Sequence, residues 1–203
     1  SACLVGSEMC IRDRSIIKRG LRFLKRKIHS FHNRIENYYF NTVLKKPYYK
    51  KIPNGILVLN FIHQRLFGIN GKVPFSVYFT NSIYGFENIV LPDNDESIKI
   101  SFAVSGGCYF TVFNGTTLEI GEKTIWAFNV CIQTGNHDLY DRSVYHTQSV
   151  KIGKNCWIGN SVTILAGVEL GDNVTVGANS VVTKSFPSNV VIGGVPAKII
   201  KEL

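Results

Sequence analysis

The sequence predicts a solenoid of short parallel strands, and three observations predict it. From Ile152 an aliphatic residue returns at every sixth position, through Ile158, Ile164, Leu170, Val176 and Val182. Glycine follows it at 153, 159, 171 and 177, and a second small or aliphatic series sits four residues on, at Cys156, Val162, Val168, Val174 and Ser180. A period of six matches neither an amphipathic helix nor the alternation of a hairpin. One such unit, a short strand and a tight turn, cannot bury its aliphatic residue alone, whereas stacked coils can.

At the front of the chain, residues 1–14, SACLVGSEMCIRDR, share no pattern with the other residues and are expected to be a non-native leader without a functional role. Residues 15–52 form a basic amphipathic helix and linker. Ile17, Leu21, Leu24, Ile28, Phe31, Ile35 and Tyr38 alternate by four and three, with Lys18, Arg19, Arg22, Lys25, Arg26 and Lys27 between them. This stripe packs on the main domain or on symmetry mates, or else residues 15–39 lie on an anionic membrane surface. Nucleic acid is not expected, because no recognition motif accompanies the charge. KKPYYKKIPNG is a linker in this reading, since Pro47, Pro53 and Gly55 interrupt regular structure.

Residues 53–203 are the repeat domain. The six-residue phase extends back through Ile120, Trp126 and Ile132, and TGNHDLYDRSVYHTQSV interrupts it before Ile152. If three units close a coil, Ile152 lies under Leu170, Ile158 under Val176 and Asn160 under Ala178. Residues 72–118 match the pattern only in places, which predicts less regular coils there.

Composition narrows the function classes. At 203 residues and 45% hydrophobic, the chain suits one folded domain with an appendage. Its formal charge of +9 is concentrated at the front, where residues 1–51 hold 13 Lys/Arg against 3 Asp/Glu. No apolar run approaches the ~20 residues that a membrane-spanning helix needs. Five irregularly spaced cysteines suit reduced thiols better than a disulfide framework or a metal site, so a cytoplasmic protein is expected. The inner face of the cytoplasmic membrane is the alternative the basic helix raises.

From Cys156 onward, CWIGNSVTILAGVELGDNVTVGANSVVTKSFPSNVVIGGVPAKIIKEL resembles the hexapeptide-repeat, CoA-dependent O-acetyltransferases. This group includes maltose and galactoside acetyltransferases and enzymes that modify polysaccharide or lipopolysaccharide. NHD in the loop, WIG after it, and GANSVVTK with GGVPAK beyond it carry the likeness together.

The resemblance implies a left-handed parallel β-helix, an all-β fold assembled as a homotrimer with active sites in clefts between subunits. It implies transfer of an acetyl group from acetyl-CoA to a sugar hydroxyl, with His137 as general base, a task imidazole suits because it titrates near working pH. Asp138 is the carboxylate matched beside it. Neighbours in an extended chain point opposite ways, however, so Asp141 or a backbone carbonyl are alternatives for holding the ring.

Asn160 and Ala178 match positions lining the pantetheine arm, Thr183 and Lys184 positions near the adenosine end, and Lys198 and Lys201 lysines that meet phosphate. On the acceptor side, Trp157 is either a wall or repeat packing, and His146 is a loop or acceptor contact. Asn114, the nearest match to an acceptor asparagine on an earlier coil, suits a turn better. No metal is expected, because His137 and His146 lack a third ligand nearby in sequence. Two rival functions remain open at this level: the same chemistry on an amino sugar, a serine or an antibiotic, and a non-enzymatic β-helix scaffold.

Overall fold

A computed structural model describes residues 19–27, 30, 47–93 and 95–203. The chain divides into two units, Ser1–Lys50 and Lys51–Leu203. In the first, residues 19–27 are helical and exposed, and the ammonium of Lys27 lies 5.0 Å from the centre of the Phe23 ring. The expected leader 1–14 and most of the expected basic helix lie outside the described residues. A 3-10 helix, Pro47–Lys51, stands where a linker was expected.

In the second unit the period of six becomes three parallel sheets. The first runs in the order Ser82–Tyr84, Tyr109–Thr111, Cys131–Gln133, Thr163–Ile164, Val181–Val182. The second stacks Ile125–Trp126, Trp157–Ile158, Thr175–Val176 and Val190–Gly194, and the antiparallel strand Ala197–Glu202 covers its last edge. The third stacks Ile89–Val90, Leu118–Ile120, Val150–Ile152 and Glu169–Leu170. The chain visits the sheets in rotation, so each three units make one triangular coil. Leu170 pairs with Ile152, Val176 with Ile158 and Val182 with Ile164, the stacking that the repeat predicts.

Side-chain burial explains the pattern. The aliphatic residue of each unit and the residue four positions on both point into the coil and are buried from Ile152 to Val182. Each valine, leucine or isoleucine among them contributes about 1.5–3 kcal/mol when fully removed from water. The residue three positions on turns the corner in the left-handed backbone region, at Asn155, Ser161, Gly167, Asn173 and Asn179. Asparagine and glycine tolerate that conformation better than most residues. On one corner the side chains also bond in a ladder: the Asn155 amide donates to Asn173 at 3.1 Å and the Asn173 amide to Asn189 at 3.0 Å.

The interruption leaves the solenoid in register. Ile120 pairs with Ile152, Trp126 with Ile158 and Ile132 with Ile164, 32 residues apart rather than 18 on all three faces. Fourteen residues are thus inserted at one corner while the inward-pointing series continues beneath them.

The expectation of an all-β domain from residue 53 needs correction at its N-terminal end. A helix, Asn54–Phe61, runs into a wider turn, Ile62–Leu66, and a second helix spans Glu96–Val104. The second is locally encoded. Asp95 caps it by accepting a hydrogen bond from the Ser97 amide at 2.7 Å, and Ile98 and Phe102, four apart, form its buried face. Phe102 packs edge-on against Trp126, with ring centres 4.7 Å apart, which plugs the start of the solenoid core. Among the described residues no helix is long and apolar enough to cross a membrane.

Candidate active site

The insertion leaves the first sheet after Gln133, enters the third at Val150, and forms an antiparallel hairpin between Gly135–His137 and Tyr145–Thr147. Its root is anchored to the coil. The Thr134 amide donates to the Thr111 carbonyl at 3.0 Å, the Gln148 amide to the Thr134 carbonyl at 2.8 Å, and the buried Thr134 hydroxyl accepts from the Phe113 amide at 2.9 Å. A Cβ at position 135 would lie 2.7 Å from the Phe113 ring, so any residue larger than glycine there displaces that ring.

His137 stands on the exposed part of this hairpin and is held on two sides. Its ring packs on Tyr145, with centres 4.4 Å apart, and Tyr145 packs on Phe113 at 5.4 Å. Its Nδ1 lies 2.6 Å from the carbonyl oxygen of Arg142. A carbonyl only accepts, so Nδ1 carries a proton in this bond, and in the neutral ring Nε2 is the acceptor. The backbone carbonyl, not the carboxylate of Asp138 or Asp141, thus meets the ring nitrogen.

Asp138 has a different task from the one expected. Its carboxylate accepts from the Tyr140 amide at 2.8 Å and the Asp141 amide at 2.9 Å, and its other oxygen meets His146 Nε2 at 2.8 Å. The Asp141 amide, the His146 ring and the Tyr140 amide together hold this carboxyl well below the usual range. Arg142 donates through Nη1 to the Asp138 carbonyl at 2.7 Å. Asp138 therefore closes the loop tip on itself and ties it to His146, which presents Arg142 to His137. Asp141 is engaged by the Ser143 hydroxyl at 2.6 Å and its amide at 2.9 Å, which lower its pKa.

The remaining expected residues divide over two corners, the second sheet and the terminal strand. Thr183 and Lys184 are exposed at the same corner as the hairpin, two strands further along the first sheet, roughly 10 Å at the usual strand spacing. The Lys184 ammonium sits 5.7 Å from the centre of the Phe186 ring. Asn160 and Ala178 occupy a different corner, between the second and first sheets, where the Asn179 amide donates to the Asn160 carbonyl at 2.8 Å and the Asn160 amide group to Phe128 at 3.1 Å. Both are exposed. Trp157 points outward from the second sheet between Ile125 and Thr175, half-exposed. Lys198 and Lys201 are exposed on the terminal antiparallel strand. Asn114 lies in a turn closed by the Thr116 amide on the Phe113 carbonyl at 3.1 Å, with its side chain near Asn88. Within one chain, then, His137, Asp138 and His146 come together, and the coenzyme candidates sit on two corners and the terminal strand. Tyr145, Phe113 and Thr134 were not singled out by sequence, because neither flank of the DLYDRS turn alternates apolar and polar residues.

Known proteins share this architecture. Residues 149–184 match the family described as bacterial transferase hexapeptide (six repeats). A galactoside O-acetyltransferase of Escherichia coli is 40% identical over 97 residues, 46% of this chain and 48% of that one. The match therefore spans about half the length of that relative. The E. coli protein described as the putative lipopolysaccharide biosynthesis O-acetyl transferase WbbJ is 33% identical over 152 residues, 66% of this chain and 73% of that one. The chain belongs to the hexapeptide-repeat acetyltransferases. Membership of this family carries the left-handed winding of its coils. Among solved structures, the N-acyltransferase AntD of Bacillus cereus, in complex with dTDP-4-amino-4,6-dideoxyglucose and coenzyme A, shares the fold at 19% identity, with a TM-score of 0.50 over 66% of this hexapeptide-repeat chain and 86% of that one.

Proposed function

We propose that this chain moves an acetyl group from acetyl-CoA to a hydroxyl of a sugar in surface polysaccharide or lipopolysaccharide biosynthesis, with His137 as general base. One observation carries the reading: His137 is fixed by the Arg142 carbonyl through Nδ1 on an exposed hairpin, leaving Nε2 free to accept a proton. The sugar oxygen attacks the thioester carbonyl carbon while its proton passes to Nε2. The C–S bond then breaks, and the imidazolium returns the proton to the departing sulfur, leaving an acetyl ester and free coenzyme A. Asp138 and His146 keep the loop in the shape that presents Arg142, and proximity on this rigid hairpin supplies the rest of the advantage.

The coenzyme is held by Asn160 and Ala178 along its arm and by Thr183, Lys184, Lys198 and Lys201 toward its phosphates. Their separation within one chain supports a homotrimer whose sites lie between copies, one contributing the hairpin and its neighbour the Asn160 corner. Leu139 and Tyr140, exposed at the hairpin tip, are placed to reach such a neighbour. Trp157 then walls the acceptor end. The name of the WbbJ relative favours a glycan acceptor, and a cytoplasmic enzyme at the inner face of the membrane would meet such acceptors as they are built.

Titration calorimetry with acetyl-CoA, beside thiol release on a panel of sugars, tests this reading. Saturable binding, weakened several-fold by Lys184→Ala, is expected. No binding at roughly millimolar ligand, the upper end of the ordinary range for enzyme substrates, would replace the transferase with a scaffold.

A further inference from the structure

The first elements of the second unit are inside out. Along Asn54–Phe61 and Ile62–Leu66 the buried residues are polar: Asn60 is 0% exposed and Gln64 6%. Both are engaged inward. The Asn60 amide donates to the Ser76 hydroxyl at 2.9 Å and the Ala103 carbonyl at 3.1 Å, while Gln64 donates to the Phe75 carbonyl at 3.0 Å and accepts from the Val77 amide at 2.9 Å. The large apolar side chains point the other way, with Phe61 61%, Leu66 71% and Phe67 68% exposed, joined by Val58 and Ile69.

Folding alone gives no reason for this arrangement, since it gains nothing by turning phenylalanine to water and amides to the core. A contiguous exposed patch of this kind marks a surface that another phase or partner covers. Charge identifies the occupant. Residues 51–90 contain three Lys/Arg against one acid, Glu87. Two of those cations, Arg65 and Lys72, are exposed beside the apolar residues, and Arg65 is steadied by the Gly71 carbonyl at 3.1 Å. A second copy of the chain would bring like charge against like charge. A bilayer with anionic headgroups offers an apolar interior for the rings and phosphates for the cations.

We infer that the Val58–Lys72 face is a peripheral membrane-binding surface, inserting Phe61, Leu66 and Phe67 among anionic lipids with Arg65 and Lys72 at the headgroups. This inference stands apart from the transferase reading. The test uses the full chain with vesicles of phosphatidylglycerol and phosphatidylcholine, read by cosedimentation and by quenching from brominated lipid of a tryptophan introduced by Phe67→Trp.

Wild type cosediments with these vesicles more than with phosphatidylcholine alone, and Phe61→Ser/Phe67→Ser weakens the association by at least about tenfold, the minimum for two aromatic side chains withdrawn from the interface. Phe67→Trp emission is quenched beyond that of the native tryptophans. Should the serine variant fail to fold by circular dichroism, the quenching decides alone. Vesicle binding unchanged in a folded serine variant, or an unquenched Phe67→Trp, overturns the inference. A serine variant whose oligomeric mass falls while vesicle binding persists assigns the face to a second copy instead.

Discussion

At the scale of single residues, the Asp138 carboxylate both closes the loop tip and carries a charge toward His146, and two substitutions should separate these roles. Asp138→Asn keeps an oxygen for the Tyr140 and Asp141 amides and loses only the charge toward His146. Turnover in that variant is expected to stay within about tenfold of wild type, whereas Asp138→Ala, which frees the loop tip, is expected to lose roughly a hundredfold, the cost of misplacing a catalytic group by about an ångström. Equal losses in steady-state assays of the two would mean that the charge itself serves His137. The site was only partly legible here. His137 stood out because a histidine in an NHD loop that breaks a repeat carries chemical meaning. The Arg142 carbonyl did not, because every residue has one and only the hairpin's closure selects it. Burial pushes the Cys108 thiol up to about 11, so iodoacetamide at mildly alkaline pH should leave it unlabelled in the native protein and label it in denaturant, as read by peptide mass spectrometry.

At the scale of elements, the hairpin and the coil beneath it are separable. Gly135→Ala forces the Phe113 ring aside, and with it the Tyr145 and His137 stack, without touching the inward-pointing series. Thermal unfolding is expected to move little while turnover drops at least about tenfold; a collapse of both would make the hairpin part of the folding core. The strands were legible because burial repeats with the coil, and register survives the insertion for the same reason. The helix Glu96–Val104 carried local signals, a capping aspartate and an Ile98/Phe102 pair, that a period of six does not contain. Asn54–Phe61 was illegible for a deeper reason. Sequence patterning assumes that apolar residues mark the inside, and here Asn60 and Gln64 do.

At the scale of the molecule, stability is spread along a single stacked core from Val73 to Ala197. Ile164→Ala, in the middle of it, should cost about 2–5 kcal/mol in denaturant unfolding, because the neighbouring coils cannot collapse into the cavity. A site shared between copies makes a further claim. His137→Asn and Ala178→Trp, each inactive alone, should regain about a quarter of wild-type activity when coexpressed at equal levels, since one interface in four then pairs an intact hairpin with an intact groove. No recovery would place the whole site in one chain. The proposed chemistry rests most heavily on His137, and one measurement tests it most directly: turnover and acetyl-CoA affinity of His137→Asn beside wild type. Turnover lower by at least about a hundredfold with affinity unchanged is the expected result for loss of a general base. Turnover near wild type, or affinity lost along with it, would contradict the assignment.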